Sequence, residues 1–316
     1  MNLQHLNYIV ALYRSESMVE AAERCYVTQP TISKAVRALE QEFSIELLQR
    51  NRSSEIQFTP DGELFIEKAQ RILNDYEILS GMFSAKNAKH LNVASQHFVF
   101  VAEAFIEMTQ YCRNCDFQLQ FKEMHTKAVV DEVYTGKSSL GFIFLCKRNS
   151  NFLTKYLRER DIEFTELGAF PFRAFTSTDH PLAEKKSVCL RELEVYPYVC
   201  YAQSDYSLNF MEEGIIPRTE QIVRVCDRDT MYRVMQATHA YTIGTGTLRS
   251  DTELETILSI PISDIQDHMR IGWIRRSGFN PSAIEEQFLQ ICTDKVNLFR
   301  MRMHEPYEQP RTKQEL

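Results

Sequence analysis

Ser33, Lys34, Arg37 and Gln41 recur at helical spacing, with Pro30 one turn ahead of them. At about 100° per residue all five fall on one helix face. That face offers two cations, a hydroxyl and an amide, and no carboxylate. Such donors on a narrow rod can enter a DNA major groove, read base edges and grip phosphates. A solvated face on any surface helix has the same makeup, so the setting must separate the two readings. Arg50 and Arg52 add two cations just ahead of Ile56–Gln57–Phe58, whose alternation is that of a short strand. A cationic turn leading into a strand is a β-hairpin wing that would lie beside a duplex; a plain surface hairpin fits equally well.

A second set of polar residues falls where strands are expected to end. The loops are Ser95–Gln96–His97, Met124–Lys127, Ala202–Asp205, Asp227–Arg228 and Thr245–Gly246. In parallel α/β sheets ligands gather at such loops, and nearby helix N-termini favour an anion. Ser95, Gln96, His97, Thr126, Ser204, Asp227 and Thr245 are therefore candidate effector contacts, although each could equally be a cap or turn residue. Cys112-Arg113-Asn114-Cys115 is a CxxC, but a zinc site needs a second pair, which the sequence lacks. No nucleophile elbow, P-loop, dinucleotide fingerprint or metal-ligand cluster is present, so neither an enzyme nor a bound cofactor or metal is expected.

The elements that position these residues follow from periodicity. Leu3, Leu6, Ile9, Val10 and Tyr13 give a first amphipathic helix. Ser17 with Glu20 three residues on has the spacing of a capping box, and Ala21 and Ala22 allow a close crossing. Thr28 is a good N-cap for the donor-bearing helix, whose inner face is Ile32, Val36, Leu39 and Phe43. Thr59–Pro60 opens a long helix in which Phe65, Ala69, Ile72, Tyr76, Leu79 and Phe83 form a coiled-coil seam. Packing against the chain's own body competes with pairing to a second copy there. From Leu91 the pattern becomes strands alternating with helices, which implies parallel β-structure. Strands are expected at 91–95, 117–121, 140–146, 170–176, 198–201, 222–225, 241–245, 257–262 and 269–274, with helices near 98–108, 128–134, 229–238 and 282–298.

The 316 residues are 44% hydrophobic and 25% charged, ordinary for a globular chain of two or three domains. No apolar run approaches the ~20 residues needed to span a bilayer, and no signal-peptide pattern opens the chain. Eight irregularly spaced cysteines then point to reduced thiols and a cytoplasmic protein. The net charge of −7 looks wrong for a nucleic-acid binder, and residues 1–58 hold six Lys/Arg against seven Glu. DNA binding would have to rest on local placement of charge, and on two copies acting together.

Several spaced motifs within the first 75 residues resemble the LysR-type transcriptional regulators. They are Leu6…Tyr8…Val10, Ser17-x3-Ala21-Ala22, Val27-Thr28-Gln29-Pro30-Thr31-Ile32-Ser33, Ala38-Leu39-Glu40, Leu47-Leu48-Gln49-Arg50 and Phe58-Thr59-Pro60-Asp61-Gly62. Weaker echoes are His180-Pro181-Leu182-Ala183, Leu190-x2-Leu193, Tyr196-Pro197 and Ile243-Gly244. The resemblance implies an α/β protein with an all-α-type N-terminal unit: a winged helix-turn-helix over 1–58, a linker dimerisation helix over 59–89, and an effector-binding domain over 90–300. That domain would hold two α/β subdomains resembling a type 2 periplasmic binding protein, about 90–160 with 266–300, and about 161–265, before a polar tail at 301–316.

By the same resemblance, Gln29, Pro30, Thr31, Ser33, Lys34 and Arg37 contact DNA, Arg50 and Arg52 serve the wing, and Thr126 and Ser204 meet a small-molecule effector. The implied partners are double-stranded promoter DNA, the effector, further copies in a homodimer or homotetramer, and RNA polymerase, with no membrane. The family usually has Leu at Cys25, Gly at Ser44, Phe at Leu48, and glycines at Ala94, Thr238 and Ala240. Some members sense oxidants, which makes Cys112, Cys115, Cys189 and Cys200 candidate redox residues against the alternative of buried thiols. The other classes weighed are a small-molecule-binding or cysteine redox-sensing protein with a weak or vestigial DNA-binding unit, and an enzyme built on the α/β module.

Overall fold

A computed structural model describes residues 2–49, 56–84, 89–202, 210, 212–245 and 256–304, except for side chains 77–78, 81–84 and 302–304. Two compact units are present, residues 1–87 with 134–137, and 88–133 with 138–316. The expected wing cations Arg50 and Arg52, the effector candidate Ser204, the Phe83 side chain and the tail beyond 304 lie outside the described residues.

The first unit opens with α1 (Leu3–Tyr13), α2 (Met18–Arg24) and α3 (Gln29–Phe43). Ser17 caps α2, its hydroxyl accepting from the Glu20 N–H at 3.2 Å. The return arm differs from a strict capping box, because Glu20 accepts from the Glu16 N–H at 2.8 Å rather than from Ser17. Either way a free donor before the helix finds an acceptor. Thr28 is the N-cap of α3 and Pro30 stands in its first turn. Leu6, Ile9, Leu12, Ala21, Ala22, Ile32, Val36, Leu39 and Leu47 form the core between the helices. Each fully buried aliphatic side chain contributes about 1.5–3 kcal/mol, so the inner face of α3 anchors the helix. Phe43 is the exception to the expected apolar face: it stays half-exposed, its ring edge-on to Phe65 at 5.2 Å.

After α3, Leu48 and Phe58 form an antiparallel bridge, and Gln49 N–H donates to Gln57 O at 2.8 Å. This is the stem of the expected hairpin. α4 (Pro60–Ser84) follows, its first turn capped by Thr59, whose hydroxyl accepts from Gly62 N–H at 2.9 Å. The coiled-coil seam expected on α4 divides. Ala69, only 2% exposed, belongs to the core of its own unit with Ile66 and Leu73, and Phe65 packs against that core. Ile72, Tyr76 and Leu79 are 41%, 50% and 53% exposed. The first two turns of the seam are therefore a correction to the sequence expectation: the small three-helix core is closed by the start of α4.

The second unit begins with β1 (Lys89–Ser95), α5 (Val99–Tyr111), β2 (Phe117–Glu123), α6 (Thr126–Tyr134), β3 (Leu140–Leu145) and α7 (Ser150–Arg158). Next come β4 (Ile162–Pro171), β5 (Arg173–Ser177), α8 (Leu190–Leu193), β6 (Tyr198–Tyr201), β7 (Ile222–Val225) and α9 (Arg228–Thr238). β8 (Thr242–Gly244), β9 (Ile257–Pro261), β10 (His268–Arg276) and α10 (Ala283–His304) complete it. One sheet has the order β2-β1-β3-β10-β4, parallel through β2, β1 and β3 and antiparallel where β10 inserts. A three-stranded sheet β8-β5-β9 and the parallel pair β6-β7 form the second layer system, joined by the Tyr198–Tyr241 bridge.

Three elements were not expected, α7, the short α8 and β4. β4 looks polar in the sequence because it is an edge strand whose carboxylates pair across the ladder, Glu166 with Arg270 at 2.7 Å and Glu163 with Arg275 at 3.3 Å. Because β4 pairs with β10, the chain leaves the first sheet between Pro171 and Arg173 rather than near residue 161, which corrects the expected subdomain limit.

Two positions in the first unit have opposite backbone demands. Ser44 ends α3 at φ 55, where a glycine would be unstrained. A Cβ on Gly62 would run into the Leu47 carbonyl. In urea melts, Ser44→Gly should raise stability by roughly 1 kcal/mol and Gly62→Ala should lower it by about 1–3 kcal/mol.

Candidate nucleic-acid interface and effector cavity

Burial of Ile32, Ala35, Val36 and Leu39 turns the opposite face of α3 outward. Gln29, Pro30, Lys34 and Arg37 are exposed there, and Thr31 and Ser33 are half-exposed beside them. Among the described residues neither Lys34 nor Arg37 is ion-paired, whereas Arg24 on α2 is held by Glu20 at 2.8 Å. Thr31 and Thr28 share a hydroxyl–hydroxyl hydrogen bond of 2.9 Å. Tyr26, in the turn before α3, has φ 55 and is 96% exposed, an aromatic ring beside the helix start that the sequence did not single out.

In the second unit the ends of β1, β3, β6 and β8 and the start of α9 enclose a cavity of about 110 Å³. That is below the ~150 Å³ in which an apolar cavity takes a benzene ring, so the ligand it suits is smaller than benzene. Of the candidate effector contacts, Gln96, His97 and Thr245 line it, together with Tyr201, Glu212, Glu213, Arg228, Tyr232 and Met231. Gln96 is buried and its amide is fixed: Oε1 accepts from Phe144 N–H at 2.8 Å, while Nε2 donates to Thr126 Oγ1 at 2.6 Å and Glu212 Oε2 at 2.9 Å. Thr126 stands one layer behind the cavity, and its N–H donates to Glu212 Oε1 at 2.5 Å.

Two other expected contacts have different jobs. Ser95 is fully buried and donates its hydroxyl to Gln96 O, fixing the strand end. Asp227 caps α9, accepting from the Thr230 N–H and hydroxyl at 2.8 Å each. Neither lines the cavity, and each is satisfied locally.

The charged wall is a cluster the sequence did not assemble. Arg228 donates to Glu123 at 3.0 Å, His97 Nδ1 lies 3.3 Å from the other Glu123 oxygen, and the His97 ring stacks on Tyr201 with centroids 3.7 Å apart. Burial pushes the Glu123 carboxyl up, but His97 and Arg228 outweigh it and hold the group below its usual value. Burial pushes Tyr201 up to about 12 despite Arg228. Glu213 accepts from Tyr198 Oη at 2.6 Å, and burial, aided by the neighbouring Glu212, raises it to about 7. Glu123 ends β2 and could have been found by the strand-end rule. Glu212 and Glu213 sit in a loop without periodicity and carried no signal.

Burial raises the thiols of Cys112 and Cys146 and pushes Cys200 up to about 12. Cys115 donates its S–H to Cys112 O at 3.1 Å, and both thiols are free. Among the described residues no group of three or more His, Cys, Asp or Glu could hold a metal ion.

Residues 3–63 match the bacterial regulatory helix-turn-helix protein, lysR family, and residues 111–297 match the LysR substrate binding domain. The chain belongs to the LysR family. It is a LysR-type transcriptional regulator, with a DNA-binding helix-turn-helix and an effector-binding domain. The hydrogen peroxide-inducible genes activator of Dickeya chrysanthemi is 26% identical over 243 residues, 74% of this chain and 72% of that protein. Other relatives of that name are matched over about three fifths of their length. In fold, full-length OxyR from Pseudomonas aeruginosa is similar with a TM-score of 0.58 at 21% identity, covering 94% of this chain and 98% of that one. CbnR, a LysR family regulator, gives 0.59 at 19% identity, covering 93% and 99%.

In this LysR-family chain the raised carboxyl makes a pH prediction. A carboxyl whose folded value exceeds its unfolded one destabilises the fold increasingly as pH rises between the two, here from about 4.5 to about 7. Thermal melts should show the native chain losing stability over that window. Glu213→Gln, which still accepts from Tyr198, should flatten the profile and gain on the order of 2 kcal/mol at pH 8.

Proposed function

We propose that this regulator reads operator DNA through the outer face of α3, with Gln29, Pro30, Thr31, Ser33, Lys34 and Arg37 at base edges and phosphates. The observation that carries the reading is the pair of exposed, uncommitted cations Lys34 and Arg37 on a helix whose other face is sealed in the core. Full-length CbnR, similar in fold, is also known in complex with its target DNA. The exposed stretch Ile72, Tyr76 and Leu79 of α4 is the surface we assign to pairing with a second copy, which sets two reading helices on one operator. Assembly into a tetramer, contact with RNA polymerase and a cytoplasmic location belong to the same reading; no helix among the described residues is long and apolar enough to cross a membrane.

The cavity between the sheets is the proposed effector site, served by Gln96, His97, Tyr201, Arg228 and Thr245, with no cofactor or metal required. A ligand that prefers one angle between the sheets would shift the population of that angle and so the spacing of the reading heads. Several relatives are named for a peroxide response. A thiol reacts as its thiolate, and burial disfavours that form at Cys112, Cys146 and Cys200.

Arg37→Ala should lower affinity for a genomic operator fragment by about tenfold or more in gel-shift assays, with the dimer unchanged by light scattering. Unchanged affinity would remove α3 as the reading helix. Leu79→Glu should convert the dimer to monomer in the same light-scattering measurement, because it places a charge in an apolar contact.

A further inference from the structure

Within the effector cavity, one carboxylate is held as a ligand would be. Glu212 presents both oxygens to neutral donors, Oε1 to the Thr126 N–H at the N-terminus of α6 and Oε2 to the Gln96 amide. The donors were already oriented, since Phe144 N–H locks the Gln96 amide with its nitrogen toward the cavity. Helix N-termini stabilise negative charge through their free N–H groups and the aligned peptide dipoles. Among the described residues no Lys or Arg pairs with Glu212, while Arg228 is engaged by Glu123. Glu212 instead sits in a seat shaped for any small carboxylate.

The seat and the side chain come from different layers. Thr126 and Gln96 follow β2 and β1 of the five-stranded sheet, whereas Glu212 follows β6 of the other system. The backbone beside it is pinned independently, because Glu213 accepts from the buried Tyr198 hydroxyl and Gly214 lies so close to the Phe172 ring that a Cβ would collide with it. The neighbouring backbone is thus held by contacts that do not involve the Glu212 side chain.

We propose that Glu212 is a tethered competitor occupying the anion seat of the cavity, and that the effector is a small carboxylate which displaces it. This rests on the assignment of the cavity as the effector site. A tethered group acts at an effective concentration in the millimolar range or above, so the effector meets a seat that is free for only part of the time. Its apparent affinity is reduced by that fraction. Displacement also removes the hydrogen bonds joining the two layers through this side chain, which ties occupancy to the angle between the sheets.

The test measures acetate, propionate and methylammonium binding to the full-length protein by saturation-transfer NMR. Glu212→Ala should bind acetate or propionate at least tenfold more tightly than the native chain, and Glu212→Gln, which keeps its shape and loses its charge, should fall between. Equal carboxylate affinity in all three proteins overturns the proposal. So does methylammonium binding that the native chain shows and Glu212→Ala loses, because the carboxylate would then be a contact for a cation. Thr245→Trp, which fills the cavity, separates this from the effector-site assignment. If it abolishes binding that Glu212→Ala leaves unchanged, the tether fails and the cavity stands. If it leaves carboxylate binding intact, the cavity assignment fails and the proposal falls with it.

Discussion

The Phe144 N–H to Gln96 hydrogen bond fixes which way a buried amide points, and the effector domain is arranged around that choice. With its oxygen committed to β3, the Gln96 nitrogen must serve Thr126 and Glu212, so one side chain ties β1, β3, the start of α6 and the loop after β6 together. An unsatisfied buried amide would cost a few kcal/mol, and a reversed one would set donor against donor. The same orientation makes the seat acceptor-seeking. Polarity in this corner of the cavity is thus inherited from a hydrogen bond to β3.

The first unit uses the complementary economy. There the core takes every large apolar side chain α3 can offer except Phe43, and what remains outward is determined by subtraction. A net-acidic chain can still present a cationic rod, because Glu20 satisfies Arg24 on α2 while Lys34 and Arg37 are left unpaired among the described residues. Charge placement outweighs charge total over distances set by a Debye length of about 8 Å.

Much of this was legible in the sequence wherever one side chain decides one feature. Ser17, Thr28 and Thr59 marked helix starts, and periodicity placed α1, α3, α5, α9 and α10 to within a few residues. It failed where the deciding partner is remote in sequence. β4 was hidden because Glu163 and Glu166 are neutralised by arginines more than a hundred residues away. Ala69 fits a heptad as well as it fits a core, and only the third dimension places it in the core. At the cavity, the strand-end rule found Gln96, His97 and Thr245 but also gathered Ser95 and Asp227, which cap and brace. Glu212 and Glu213 were invisible, since an acidic pair in a loop has the same appearance whether solvated or buried.

The route of the chain between β4 and β5 has a mechanical corollary. The five-stranded sheet is connected to the second layer system by two short crossings, one at Phe172 and the other over residues 262–267. Two parallel straps define a pivot line, and turning about it bends few torsions, whereas sliding or twisting across it would shear packed side chains. Turning of one sheet system over the other is thereby left as the soft coordinate of this unit.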